Sequence, residues 1–368
     1  MNTRIIDEVP SIINRLNENQ NKRFSAFVGF DACIDIIARV VSGKNENNTT
    51  AYFANSRDFS EFILNLGSRS CGVELQTKLT KAGGNMVITG NALGNLGISV
   101  DCMGTFGLPG VQPIFHSMSP DCKLITIGDT ITATALEFNN SKIILFDPGP
   151  YNDLTWNGIK DKIGIDRLRE FISGKQLVSF LNWSEIENTS LIWKGFLEEV
   201  FPFIPEGDHK PLFFTDFSDC SRRSAEEIKL AIVLLGRFRE FFKVVMSLNT
   251  NEANLISSAL DLSKSESEEE FVKTLFKSAN VDILTIHHVE HAVVYDGINY
   301  DTCNTFICNN PLVLTGGGDN FNAGFCFSLF NGLDLFQTLL IANAVSGFYV
   351  KTGISPSGDQ LKEFLKGG

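Results

Sequence analysis

From about residue 155 onward the sequence alternates strand-like with helix-like segments. LVSFLNW at 177–183 leads into the helical TSLIWKGFLEEVF, and PLFFTDF at 211–217 into a helix with Ile228, Ile232, Leu235 and Phe238 inward. KVVMSLN at 243–249 leads into EANLISSAL, and VDILTIHH into a hairpin through AVVYDG. Strands separated by amphipathic helices need right-handed crossovers and a mostly parallel sheet. The expected fold class is therefore α/β, a doubly wound sheet, closed by helices at about 318–330, 335–350 and 357–366.

The first 155 residues have a different texture. After a short helix carrying Ile5, Ile6, Val9, Ile12, Ile13 and Leu16, FSAFVGFDACIDIIARVV at 24–41 reads as a strand that stops at Gly29 and resumes past Asp35. The Asn-rich SGKNENNTT, the helical FSEFILNLG and the alternating VELQTKLTKAGG then form an excursion from the main sheet. GGNMVITGNALGNLGISVDCMGTFG, from 83, reads as a double glycine, a helix with Met86, Leu93 and Leu96 on one face, and a strand at 98–103. Gly90 and Gly94 permit close approach of a neighbouring backbone. KLITIGDTITATALEF at 123–138 alternates like two exposed strands of a small sheet. The expectation is a large domain of 1–36, 81–107 and 139–368, with a β-rich lid of 37–80 and 108–138.

Composition excludes several classes of partner. Lys and Arg number 31 against 43 Asp and Glu, a formal net charge of -12 with no basic stripe. Nucleic acid and anionic membranes both need clustered cations, so neither is expected as a partner. No apolar run approaches the roughly 20 residues of a membrane helix. Asp7, Glu8 and Pro10 interrupt any secretory h-region at the start. Eight cysteines without a C-x-x-C pair, mostly in apolar surroundings, read as reduced, buried thiols of a cytoplasmic protein.

The segment most suggestive of chemistry is LTGGGDNFNAGFCFSLFNG at 314–332. Gly316, Gly317 and Gly318 precede Asp319 and a helix with Phe321, Phe325 and Leu329 one turn apart. The N–H groups of such a loop, with the positive end of the helix, form an anion-binding concavity. A carboxylate beside a bound phosphoryl group can accept the proton of an attacking hydroxyl. The alternative is a tight turn with Asp319 as an ordinary helix cap.

GGGDNFNAGF resembles the second signature of the ribokinase/PfkB-like carbohydrate kinase superfamily, a Gly-x-Gly-Asp at a helix start. GGNMVITGNALGNLG at 83–97 is similar to the first signature, and Asn249-x-x-Glu252 within SLNTNEANLI to the family's N-x-x-E motif. LFQTLLIANAVSGFYVKTG at 335–353, which carries Asn343, looks like the nucleotide-side helix. The motifs occur in the family's order, and the resemblance spans about 24 to 366.

The resemblance implies transfer of the terminal phosphate of a nucleotide, ATP or else ADP, to a sugar hydroxyl, with nucleotide and sugar as the small-molecule partners. It implies Asp319 as catalytic base and the backbone of Gly316, Gly317 and Gly318 as anion hole. Asn249 and Glu252 would organise a hydrated Mg²⁺, Glu252 indirectly through water, although both residues are ordinary at a strand end and helix start. Asn343 falls on the nucleotide side. Asp35, Gly84 and Asn85 would face the sugar; Asp31 takes the same role or is a solvated loop acid. Pairing of lids into a homodimer is likewise implied by resemblance.

The chain departs from the family in two places. LTIHHVEHAVVYDG stands where ATP-dependent members carry a T-x-G-x-x-G loop, putting His287, His288 and His291 where small residues are expected. With GFDACID at 29–35 this is similar to ADP-dependent sugar kinases. A nucleoside kinase and a non-catalytic, ligand-binding kinase scaffold are further alternatives. H-H-x-x-H on a strand does not converge its imidazoles, so zinc is not expected there. In TDFSDCSRRS at 215–224, Asp216 is followed by Ser218 and Cys220 rather than an Asp-x-Asn-x-Arg. Arg222 or Arg223 would then replace the missing cation, or only cap a helix. P-loop and H-R-D motifs are absent, as are G-x-S-x-G and H-E-x-x-H, and the glycines at 83–97 lack dinucleotide spacing.

Overall fold

A computed structural model describes residues 3–139, 141–205, 207–308, 311–313 and 315–367. Leu314, at the head of the glycine-rich segment, lies outside them, as do residues 1, 2, 140, 206, 309, 310 and 368 of the expected large domain. In chain order the first strands are β1 (Ser25–Phe30), β2 (Cys33–Lys44), β3 (Thr50–Tyr52), β4 (Leu75–Gly83), β5 (Ser99–Gly104), β6 (Cys122–Thr126) and β7 (Ile131–Glu137). They continue with β8 (Lys142–Phe146), β9 (Leu177–Phe180), β10 (Leu212–Asp216), β11 (Lys243–Asn249), β12 (Ile283–His287), β13 (His291–Tyr295) and β14 (Tyr300–Asn304).

The large sheet has the order β14-β13-β12-β11-β10-β9-β1-β5-β6 and is parallel except for the β12-β13-β14 edge. Its strands point side chains alternately into two apolar layers. Phe27 and Phe30 of β1 enter one and Ala26 and Val28 the other; Phe213 and Phe214 of β10 divide the same way. Burial on both faces is what helices on both sides of a parallel sheet produce. Phenylalanine fills much of one layer, with the Phe213 and Phe238 ring centroids 4.0 Å apart.

From β1 the chain steps to β5 on one side and, later, to β9 and onward on the other. This reversal is a topological switch point, and in open parallel sheets ligands bind beyond the carboxyl ends of the strands beside it. The small sheet has β2 at its centre, antiparallel to β3 and β4 and parallel to β7, with β8 on the outer edge of β7. The chain passes between the sheets at Asp31–Ala32 and again at Gly84.

Two segments sit differently from the expected division. Residues 122–126, assigned to the lid, pair in parallel with β5 at the edge of the large sheet. Residues 142–146, assigned to the large domain, form β8 of the small one. Alternation of side chains marks a strand but carries no information about which sheet it joins. Among the described residues no helix is long and apolar enough to cross a membrane. The eight cysteines are unpaired; Cys33, Cys102, Cys220, Cys303 and Cys326 are buried and Cys71 is exposed.

Candidate active site

The carboxyl ends of neighbouring strands converge on one edge of the large sheet. Asp31 follows β1, Asn182 follows β9, Asp216 ends β10, Asn249 ends β11 and His287 ends β12. Parallel register sets Asp216 beside Ser247 and Asn249 beside His287. The helix Gly317–Phe330 presents its first turn to this edge.

Gly316 caps that helix with φ of 99°, a conformation that L side chains rarely adopt. A Cβ there would also lie 2.8 Å from the Tyr349 hydroxyl, which donates to the Thr315 carbonyl. The first intrahelical bond runs from Asn320 N to Gly316 O. The N–H groups of Gly316, Gly317, Gly318 and Asp319 therefore lack intrahelical acceptors, which suits an anion. Asp319 is buried, and its Oδ1 has no hydrogen-bond partner among the described residues. Burial, reinforced by the charges of Asp216 and Asp31, pushes its pKa well above the ordinary carboxylate value; Lys81 opposes this.

Asp31 is wholly buried rather than a solvated loop acid. Its carboxylate accepts from Asn85 N at 2.6 Å, Met86 N at 2.9 Å and Asn182 Nδ2 at 3.0 Å. It thus joins one passage between the sheets to the start of the helix Asn85–Asn95. Burial nevertheless raises its pKa to about 6. Gly84 has φ of 101°, and a Cβ there would stand 2.9 Å from Asp31 Oδ2, so a larger residue would displace this contact. The Asn85 amide donates to Ser218 Oγ at 2.9 Å. Asp35 lies on β2 opposite Lys81, its pKa raised by burial against the pull of that lysine.

Asn249 and Glu252 form a reciprocal cap: Glu252 N donates to Asn249 Oδ1, and Asn249 N to Glu252 Oε2, both at 2.9 Å. Glu252 is buried, and burial together with Asp216 raises its pKa well above the usual range, Asp219 adding to this. An acid set under mutual repulsion, with few protein cations nearby, fits a hydrated Mg²⁺ held through water. The Asn343 amide instead donates to the carbonyls of Cys303 and Asn304, at 3.1 and 3.2 Å, and so secures the end of β14. His287 is partly buried against Phe321, and loss of solvent around its ring, with His288 adding to it, lowers its pKa to about 4. A Cβ on Gly318 would lie 3.2 Å from its ring, so the imidazole fills space beside the glycine loop.

Four site-facing residues were not identified from the sequence. Asp216 had appeared only as a departure from a family pattern; it accepts from Ser218 N at 2.8 Å and Asn322 Nδ2 at 2.7 Å, while Ser247 donates to Asn322 Oδ1. Asn182 holds Asp31. Lys81 and Lys142 come from the small sheet, Lys142 bonding to Thr315 just ahead of the glycines. The available signals were a polar residue at each strand end and a lysine separated from the double glycine by one alanine. Arg223 donates to the carbonyls of Ser184 and Ile186, and Arg222 pairs with Glu185 at 2.6 Å. Arg223 is thereby committed to holding a loop.

The model of the prokaryotic ketohexokinase family matches residues 7–368. The chain belongs to this family. A ketohexokinase of Haloferax volcanii is 26% identical over 347 residues, covering 92% of this chain and 90% of the relative. Among solved structures, Arabidopsis thaliana ribokinase complexed with ribose and ATP has a TM-score of 0.65 at 14% identity, covering 94% and 99% of the two chains. Adenosine kinase from Sinorhizobium meliloti reaches 0.64 at 15% identity over 94% and 99%. These likenesses show the ribokinase-like fold, a parallel α/β sheet with a separate small β lid. Family membership makes the protein a carbohydrate kinase, a phosphotransferase with an alcohol group as acceptor.

Proposed function

We propose that the protein transfers the terminal phosphate of ATP to a hydroxyl of a ketohexose, with Asp319 as general base. The observation that carries this reading is the buried Asp319 carboxylate with an unpartnered oxygen, set in the turn whose N–H groups suit phosphate. The relative's name supplies the sugar class. The donor rests on the family resemblance, with ADP the competing choice.

In the reaction a sugar hydroxyl oxygen bonds to the terminal phosphorus while the bond from that phosphorus to the bridging oxygen breaks. Asp319 takes the hydroxyl proton and the nucleotide leaves with the bridging oxygen. The Gly316–Gly318 N–H groups hold the transferring phosphoryl oxygens. Asp35 and Asn85 accept from and donate to sugar hydroxyls, orienting one toward Asp319, while the buried Asp31 holds Asn85 in place. Glu252, with Asp216 facing it, would hold Mg²⁺ through water, and the ion would supply neutralisation of phosphate charge. Asn343 positions the nucleotide side through the end of β14. The small sheet acts as a lid: Lys142 reaches the glycine loop, and closure excludes water that would compete with the sugar.

The protein works in the cytoplasm on small molecules. Ile143, Ile144 and Leu145, exposed in succession on the edge strand β8, support pairing of two lids into a homodimer. A product screen of ketohexoses, aldoses, pentoses and nucleosides with ATP and ADP in parallel tests the reading. Phosphorylation of a ketohexose with ATP is expected. Product from nucleosides alone, or nucleotide and sugar binding without product, would overturn it.

A further inference from the structure

Next to the edge where the strand ends converge, two of the chain's histidines meet a glutamate from a distant element. His288 and His291 flank the turn between β12 and β13, where His288 N bonds to His291 O at 2.8 Å. The turn folds the two rings onto each other, with centroids 4.4 Å apart and planes inclined by 15°. Expected divergence of the imidazoles along a strand therefore fails at this pair: the chain reverses between them, and only His287 remains on the strand facing the glycine loop.

Glu268, the first residue of the helix Glu268–Ala279, meets both rings. Its Oε1 lies 3.1 Å from His288 Nε2 and 3.0 Å from His291 Nε2. The three ligand atoms all lie within 4.8 Å of one another. Zinc–nitrogen and zinc–oxygen bonds of about 2.0–2.2 Å place tetrahedral donors roughly 3.3 Å apart, close to the nitrogen–oxygen separations here. Two of the three groups are also oriented from behind. Thr250 Oγ1 is 2.8 Å from His288 Nδ1, and the Tyr300 hydroxyl donates to Glu268 Oε2 at 3.3 Å. Such outer partners fix ligand tautomer and direction, and the threonine hydroxyl can accept from Nδ1–H once Nε2 gives its lone pair to a metal. A surface cleft of about 380 Å³, lined in part by Thr250, Asn254, Glu268, Phe271 and His288, offers an entry path.

We propose that His288, His291 and Glu268 form a binding site for a borderline divalent transition metal of the Zn²⁺ class, distinct from the Mg²⁺ organised at Glu252. Two imidazoles and one carboxylate suit Zn²⁺ rather than Mg²⁺, which prefers oxygen donors. Three protein ligands leave a coordination position for water. Occupancy would clamp the β12–β13 turn to the helix Glu268–Ala279, and Thr250 would connect that clamp to the Asn249–Glu252 cap.

The test uses untagged full-length protein, stripped of metal by a chelator, with Cys71 and Cys308 replaced by serine so that thiolates do not register. Co²⁺ is titrated as a spectroscopic probe and Zn²⁺ by calorimetry. One equivalent of Co²⁺ should give the visible ligand-field absorption of a low-coordinate site, displaced by Zn²⁺. His291→Ala should weaken binding by more than the ~10–100-fold that loss of an outer partner costs, while Thr250→Val should fall within that range. Glu268→Gln, which keeps the side chain's size and removes its charge, serves as the ligand variant if the histidine change prevents folding. No cobalt absorption in the unsubstituted site, or equal affinity in the ligand variants, would overturn the proposal.

Discussion

Asp319 and Asp31 occupy similar dry surroundings but differ in what satisfies them. Asp31 has three donors in place, whereas one oxygen of Asp319 has none. In the proposed role Asp319 takes the hydroxyl proton, so Asp319→Asn should lower kcat by ~10²–10⁴. Nucleotide binding should persist in calorimetry, and near-normal turnover would remove Asp319 from the role. Asp31 leads to a prediction about stability. Its pKa is about 6 in the folded chain against 3.8 for the ordinary residue, so the folded state holds this proton more tightly than the unfolded state. The contribution is present below about pH 4 and is lost as the pH rises through about 6, by about 3 kcal/mol. Urea melts of the ligand-free protein should therefore show wild type losing stability relative to Asp31→Asn between pH 4 and 7. A constant or opposite difference would show that Asp31 ionises as an ordinary acid.

At the scale of elements, the helix Gly317–Phe330 begins where only glycine satisfies two demands. Gly316 has a positive φ and no room for a Cβ beneath the Tyr349 hydroxyl. Gly316→Ala should cost about 1–3 kcal/mol, the range for a side chain forced into a sparsely populated backbone region. The same change should raise KM for the nucleotide, because the first-turn N–H groups would shift. Equilibrium denaturation checks the first effect and steady-state kinetics the second; stability equal to wild type would show that the turn relaxes freely. The capping box at Asn249–Glu252 shows how one sequence pattern serves two ends. N-x-x-E is an ordinary helix start, and the structure uses it as one. Its position at the end of β11, facing Asp216, is what adds the charge that a cation can relieve.

The whole molecule carries a net charge of -12, and the site adds no cationic patch: Lys81 acts on Asp35 and Asp319 and Lys142 on Asp35, while the buried Asp216 and Glu252 have no lysine beside them. A polyanionic donor must then be held by backbone N–H groups, a helix terminus and a divalent cation. Activity should vanish in EDTA and return with Mg²⁺ alone; turnover undiminished by the chelator would contradict the arrangement. The acidic surface also leaves apolar contact as the means of self-association. Sedimentation should show a dimer that Ile144→Lys converts to a monomer, and a monomeric wild type would rule out pairing through the lid.

Sequence by itself determined the α/β class, the strand–helix alternation and the glycine-led turn at Asp319, because each depends on residues close together in the chain. The capping pattern at 249–252 was legible for the same reason. Tertiary structure alone decided that β6 joins the large sheet and β8 the small one, since side-chain alternation is indifferent to the pairing partner. It also decided that Asp31, Asp216 and Glu252 all press on the ionisation of Asp319. Those residues are separated by much of the chain, and only parallel register and the switch point beside β1 bring their strand ends to one edge. The convergence of His288 and His291 on Glu268 has the same origin, a turn and a helix start whose meeting no local pattern encodes.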